Sequence, residues 1–113
     1  MSKIIALAEA QLAAYNSANL DAFVACYHPN VVVYAGETQT VQGRSAFRER
    51  YQDLFSCWQF GATVSERLAA AGHCVDLEHW WRVNPQDQQR EEGSLLVRYT
   101  LLEGLIGTVQ FLD

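Results

Sequence analysis

The second half of the sequence alternates between hydrophobic and polar residues with a period of two. Successive side chains of a β-strand point to opposite faces, so this period is typical of strands. The pattern predicts four strands, at about residues 59–70, 73–83, 94–103 and 105–112. Tight turns are expected at Ala71-Gly72 and Glu103-Gly104, and the polar segment 84–93 predicts a long hairpin loop.

In the first half, apolar residues recur every three or four positions, which predicts helices. The helices are expected at about residues 3–18 with Ser2 as N-cap, 20–27 with Asn19 as N-cap, and 44–57 after Gly43. Pro29 should end the second helix, because proline cannot continue it. Strands at 31–35 and near 38–41 complete the prediction. Helices followed by consecutive antiparallel strands indicate an α+β fold.

Composition narrows the class of protein. The 113 residues, half of them hydrophobic, are enough for one globular domain spanning residues 1–113. A formal net charge of −5 argues against a nucleic acid or an anionic membrane as partner, since either would need a basic surface. No apolar run approaches the roughly 18–20 residues of a bilayer-spanning helix.

The cysteines and histidines offer no metal or redox motif. Cys26, Cys57 and Cys74 are odd in number and share no CxxC spacing. We interpret them as buried, reduced thiols, which favours a cytoplasmic protein. The three histidines are too dispersed to supply the three converging ligands of a metal site, and no cofactor is expected.

Three short segments occur in a familiar order. They are Asn16-Ser17-Ala18-Asn19-Leu20-Asp21, Gly43-Arg44-Ser45-Ala46-Phe47 and Glu103-Gly104-Leu105-Ile106. With the order of helices and strands, they resemble the nuclear transport factor 2-like superfamily, and within it the SnoaL-like and ketosteroid-isomerase-like proteins. The resemblance covers essentially the whole chain. It implies a cystatin-like cone, in which about three helices pack on a curved, mostly antiparallel sheet that encloses a pocket.

The same resemblance implies which side chains line that pocket. They are Gln11, Tyr15, Phe23, Val33, Ala35, Tyr51, Phe55, Trp58, Leu77, His79, Trp81, Val97, Tyr99, Leu101, Val109 and Phe111. In strand 94–103 the alternation alone selects the same apolar face. Trp58 and Trp81 would be flat walls for an aromatic or polycyclic ligand, or ordinary core residues.

The catalytic comparison with the steroid isomerases is negative. The resemblance places Ala35, Gln11 and Val97 where that family keeps its general base and its two oxyanion-hole donors. Related proteins keep a His–Asp pair on the last strands, and the resemblance places Val109 and Phe111 at those positions. Valine donates no hydrogen bond and an amide is a far weaker acid than a phenol, so the familiar mechanism is not expected.

His79 is the readily titrating group expected inside the pocket. As an acid–base catalyst it would be oriented by Tyr99 or Tyr51. The alternative is a neutral core histidine that shapes a binding pocket, since no carboxylate partner is apparent on its predicted face.

The other face of strand 73–83 carries Glu78 and Trp80. A cross-strand pair of Glu78 with Arg98, beside Trp80 and Leu96, predicts the interface of a homodimer. The alternative is a monomer with an apolar outer sheet.

Three functions remain open at this point. The first is binding of a small apolar or aromatic ligand without catalysis. The second is a SnoaL-like isomerase, cyclase, dehydratase or hydrolase that uses His79, with Tyr51 or Tyr99 as hydrogen-bond donor. The third is a protein-interaction module that uses the outer sheet face.

Overall fold

The computed structural model describes residues 2–112. Its helices are α1 (Lys3–Asn16), α2 (Leu20–Val24) and α3 (Arg44–Cys57). Its strands are β1 (Tyr27–Ala35), β2 (Thr38–Gln42), β3 (Gln59–Ala70), β4 (His73–Val83), β5 (Arg90–Leu102) and β6 (Leu105–Leu112). They form one sheet in the order β2-β1-β6-β5-β4-β3, in which β1 and β6 are parallel and every other pair is antiparallel. The predicted α+β architecture, three helices on a curved sheet, is confirmed.

Side-chain caps fix the starts of two helices. The Ser2 hydroxyl accepts a hydrogen bond from the Ile5 amide at 3.4 Å, and Asn19 Oδ1 accepts one from the Ala22 amide at 3.1 Å. Both N-caps were predicted. At the other end of α1, the Asn16 amide pairs with the backbone of Ala62 through bonds of 2.9 and 2.8 Å. This pair anchors α1 to β3 and so holds one wall of the space between helices and sheet.

Three predicted boundaries are wrong. The second helix ends at Val24, and Tyr27 already begins β1. Pro29 is tolerated there because the register between β1 and β6 is irregular between Tyr27 and Val32. Strand β5 begins at Arg90, earlier than predicted, because its charged start still pairs with β4 and Glu91 accepts from Arg82 at 2.8 Å.

The two tight turns are confirmed. Ala71 and Gly72 both have positive φ, 51° and 79°, and so do Glu103 and Gly104, 48° and 84°. Two such residues in sequence make a turn whose twist matches that of the flanking strands. Together they fix the pairing of β3 with β4 and of β5 with β6.

The core lies between the helices and the inner face of the sheet. Its fully buried side chains include Ile4, Phe47, Val31, Val97 and Ile106. All three cysteines are free thiols, but Cys57 is exposed at the end of α3, so the expectation that all three are buried is wrong. None of the helices within residues 2–112 is long and apolar enough to cross a membrane.

Candidate functional site

The orientation of β4 decides which side chains enter the space under the helices. Cys74, Asp76 and Glu78 lie opposite Tyr99, Val97 and Leu95 of β5. Residues opposite each other in a sheet point to the same face. Val97 and Tyr99 are buried under the helices, as predicted for their strand, so this face of β4 is the inner one.

The predicted orientation of β4 is therefore wrong. Leu77, His79 and Trp81 point to the outer face, and Glu78, Trp80 and Arg82 border the cavity instead. The strand has large apolar residues on both faces, so hydrophobicity alone could not orient it. The inner face of β4 carries the acidic residue Asp76, and Arg67 of β3 makes its burial possible by pairing with it.

Arg67 binds Asp76 with two nitrogens of its guanidinium. Arg67 Nε donates to Asp76 Oδ1 at 2.7 Å, and a terminal nitrogen donates to Oδ2 at 3.0 Å. Asp76 is 1% exposed. A buried carboxylate needs such a partner, and this pair turns the whole even-numbered face of β4 inward. Opposite charges on neighbouring strands were the sequence feature that could have identified this face.

His79 lies on the exposed side of the sheet. Its Nε2 is 2.8 Å from the Ser65 hydroxyl, and its Nδ1 is 2.7 Å from the Ser94 hydroxyl. Both ring nitrogens are thus occupied by serines of the neighbouring strands. The predicted position of His79 inside the pocket, oriented by Tyr51 or Tyr99, is wrong.

A cavity of about 400 Å³ lies between the helices and the inner sheet face. Eight residues predicted for the pocket or its chemistry border it: Gln11, Tyr15, Phe23, Tyr51, Trp58, Tyr99, Val109 and Phe111. Ten further residues border it without having been predicted there: Leu12, Tyr27, Phe47, Arg50, Asp53, Leu54, Glu78, Trp80, Arg82 and Leu95. The wall is rich in aromatic rings and carries four charged side chains.

Other predicted pocket residues lie elsewhere. Val33 and Val97 are buried in the core and do not border the cavity. Ala35 is exposed at the end of β1. Phe55 packs its ring against Tyr15, 5.7 Å between centroids, and so supports the cavity wall from behind. Leu101 is partly buried against the core.

A chain of hydrogen bonds orients one phenol in the wall. The Tyr27 hydroxyl donates to Gln11 Oε1 at 3.0 Å, and Gln11 Nε2 donates to the Tyr99 oxygen at 3.2 Å. The Tyr99 oxygen accepts from the amide nitrogen of Gln11, which cannot accept a hydrogen bond in return. No other described residue accepts the proton of the Tyr99 hydroxyl. Tyr99 borders the cavity, so this proton is available to a ligand.

Glu78 is a carboxylic acid in the same wall. Burial, and then the neighbouring charge of Asp76, raises the pKa of Glu78 from 4.5 to about 7. Within residues 2–112 no arginine or lysine forms an ion pair with it. A carboxyl group that is half protonated near neutral pH can both give and accept a proton.

The tyrosines of the wall remain protonated across the physiological range. Burial, with Glu78 as a further contribution, raises the pKa of Tyr51 to about 12. Burial also raises the pKa values of Tyr15, Tyr27 and Tyr99 well above the ordinary value. These phenols can therefore donate hydrogen bonds but cannot act as bases at neutral pH.

Two indole rings hold an arginine at the exposed rim of the cavity. The Arg82 guanidinium carbon lies 5.3 Å from the ring centre of Trp58 and 5.3 Å from that of Trp80. Trp58 follows α3 and Trp80 lies on β4, so this stack joins the helix layer to the sheet. Trp80 also covers Gly93 of β5, where a Cβ would meet its ring at 2.8 Å.

The predicted interface does not assemble as a group. Glu78 and Trp80 border the cavity, whereas Leu96 and Arg98 lie on the outer face. Glu78 is opposite Leu95 and Arg98 is opposite Val75, so the predicted Glu78–Arg98 pair is wrong. Leu96 is nevertheless 44% exposed, and its cross-strand neighbours on the outer face are Leu77 and Leu112.

The helices, the curved sheet and the cavity between them define a cystatin-like domain of the nuclear transport factor 2-like superfamily. The sequence matches the family model described as SnoaL-like domain over residues 8–106. The chain belongs to this family. No curated protein sequence matches it significantly.

Solved structures share the fold at low sequence identity. An uncharacterized cystatin-fold protein from Novosphingobium aromaticivorans has a TM-score of 0.86 and 21% identity, covering 100% of this chain and 99% of that one. Δ5-3-ketosteroid isomerase from Mycobacterium sp. has a TM-score of 0.89 and 14% identity, covering 100% and 94%. A Mycobacterium tuberculosis protein in complex with estradiol-17β-hemisuccinate has a TM-score of 0.88 and 11% identity, covering 98% and 93%.

Proposed function

We propose that the protein binds a small, mainly apolar molecule in its cavity and donates a hydrogen bond from Tyr99 to an oxygen of that molecule. The observation that carries the proposal is the Tyr27–Gln11–Tyr99 chain, which leaves the phenol proton of Tyr99 without an acceptor in a wall of aromatic rings. Pockets of this volume with a few converging polar groups suit small organic ligands. The steroid complex among the structural neighbours is consistent with such a ligand.

Replacing Tyr99 by phenylalanine should weaken the binding of a compact aromatic ketone about tenfold, because the carbonyl oxygen loses its donor inside an apolar wall. A suitable probe is 2-acetonaphthone, whose affinity is measured by isothermal titration calorimetry. Tyr34→Phe is the matched control, since Tyr34 does not border the cavity. Equal affinities of wild type and Tyr99→Phe would contradict the proposed role of Tyr99.

Acid–base catalysis is a second candidate function, favoured by Glu78. The Glu78 carboxylate would remove a proton from the carbon next to a ketone, and the protonated Glu78 would return a proton to carbon. Tyr99 would donate to the enolate oxygen formed between these steps. The reaction is of the isomerase type and needs no co-reactant. Here Glu78 replaces His79 as the acid–base group.

The exchange of deuterium into the methyl group of 2-acetonaphthone tests this activity by proton NMR. Because the reaction needs ionised Glu78, its rate should rise with pH through about pH 7 and then level off. Glu78→Gln should lower the rate at least about 100-fold. His79→Gln tests the alternative hypothesis that His79 is the acid–base group. Exchange that is lost in His79→Gln but kept in Glu78→Gln would reverse the assignment.

The outer sheet face supports a homodimer. Leu96 lies opposite Leu77 on one side and Leu112 on the other, and Leu68 is 79% exposed. The Arg98 Nε on this face is buried without a hydrogen-bond partner among the described residues. Such an apolar surface beside an unsatisfied donor is typical of an interface, and a second copy of the chain is the proposed partner.

Introducing a charge at Leu96 tests the dimer. Leu96→Glu should give a monomer in sedimentation velocity where the wild type sediments as a dimer, because two carboxylates would be buried at the interface. Leu102→Glu, at the end of the sheet, should leave the mass unchanged. A wild-type monomer, or an unchanged mass of Leu96→Glu, would contradict the proposal.

A further inference from the structure

The Arg82 guanidinium has unused hydrogen-bond donors. Its Nε donates to Glu91 Oε1 at 2.8 Å. The two terminal nitrogens have no hydrogen-bond partner among residues 2–112. The guanidinium carbon lies over the rings of Trp58 and Trp80, 5.3 Å from each ring centre, which are cation–π contacts.

The free terminal donors of Arg82 are chemically suited to an oxyanion. The planar fork of arginine matches the two oxygens of a carboxylate. The contacts with Trp58 and Trp80 and the bond to Glu91 restrict the movement of the guanidinium before a ligand arrives. Glu91 takes only the Nε side of the fork. Less ordering entropy is lost on binding to a group that is already fixed.

The charges around the rim do not favour an anion by themselves. Arg50 of α3 also borders the cavity, and its side chain donates to Thr40 at 3.1 Å. Asp53 borders the cavity as well, and Glu91 pairs with Arg82. Glu78 borders the cavity too, so two positive groups stand beside three acidic ones. Selectivity for an oxyanion therefore depends on the donors of Arg82 rather than on net charge.

We propose that Arg82 binds a carboxylate of the ligand at the rim while the apolar body of the ligand occupies the cavity. The ligand is then a small apolar acid, with a ring system between the rim and Tyr99. This inference rests on the proposed binding function and specifies its ligand class.

Two probes of similar shape separate the two proposals. Calorimetry compares 2-naphthoate with 2-acetonaphthone, which carries a methyl group in place of one carboxylate oxygen. The titrations are run at about pH 6, where most of Glu78 is protonated and does not repel the anion. The wild type should bind 2-naphthoate about tenfold more tightly than the ketone.

Substitutions at Arg82 should remove this preference. In Arg82→Gln the ratio of the two affinities should fall to about one, and Arg82→Lys, which keeps the charge but lacks the fork, should retain only part of it. Arg90→Gln is a close control, because Arg90 stacks on Trp81 at 4.8 Å and pairs with Glu92 at 3.1 Å on the outer face. It should keep the full preference. Thermal unfolding of each variant checks that it is folded.

The possible results distinguish the two proposals. Equal wild-type affinities for the acid and the ketone would overturn the role of Arg82 and leave cavity binding intact. A preference that survives in Arg82→Gln, or disappears in Arg90→Gln, would also overturn it. Failure of both probes to bind the wild type would overturn both proposals.

Discussion

Arg67→Met is expected to lower the free energy of unfolding by about 3–5 kcal/mol, because it leaves a buried carboxylate without its partner. Asp76 is 1% exposed and receives two hydrogen bonds from Arg67, at 2.7 and 3.0 Å. The Arg67 side chain is itself largely covered, 19% exposed, so solvent does little to screen the pair. Urea unfolding at neutral pH measures the difference.

A double variant separates the loss of the pair from the loss of packing. Arg67→Met combined with Asp76→Leu removes both charges and should recover most of the stability, since apolar residues can replace a buried ion pair. The exposed pair of Arg90 with Glu92 is the control, and Arg90→Met should cost less than about 1 kcal/mol. A similarly small loss for Arg67→Met would mean that Asp76 reaches solvent, contrary to the inward orientation of β4.

Glu78→Gln is expected to change how stability depends on pH. The folded protein holds the pKa of Glu78 at about 7, above the ordinary value of 4.5. Between these two values the unfolded chain loses this proton and the folded chain keeps it, so folding becomes less favourable as pH rises. The loss is complete above about pH 7. Glutamine does not titrate, so the Glu78→Gln variant does not undergo this loss of stability.

The size of this effect follows from the shift in pKa. Relative to wild type, Glu78→Gln should gain about 3 kcal/mol of stability between pH 4.5 and pH 8. Urea unfolding of both proteins at the two pH values gives the difference, in which all other titrating groups cancel. Glu37→Gln, in the exposed turn before β2, is the control substitution. If Glu78→Gln and wild type showed the same change in stability between the two pH values, Glu78 would lie in solvent.

The fold could be predicted from the sequence because local patterns define its elements. The period of two set the limits of β3, β4 and β6, and the positive-φ turns at Ala71-Gly72 and Glu103-Gly104 set the pairing of neighbouring strands. The start of β1 was not predictable from local preference, because Pro29 reads as a helix stop. Only the irregular pairing of β1 with β6 allows proline there.

The site could be predicted only in part, because alternation gives two faces without saying which one points inward. Most of the helical residues, Tyr99 of β5 and both residues of β6 were placed correctly around the cavity. The face of β5 was predictable because only one of its faces is consistently apolar. In β4 each face carries a tryptophan. Leu77, His79 and Trp81 lie on one face, and Asp76, Glu78 and Trp80 lie on the other. The choice between them depended on Arg67, which lies nine residues from Asp76 along the chain but beside it in the sheet.

Titration of the Glu78 side-chain carboxyl carbon by NMR, with and without 2-acetonaphthone, tests the cavity and its orientation most directly. We predict a midpoint near pH 7 in the free protein. Binding of the neutral probe should raise the midpoint further, because the probe displaces solvent from the carboxylate. An ordinary midpoint near 4.5 that does not respond to the probe would contradict the account, since Glu78 would then lie outside the cavity.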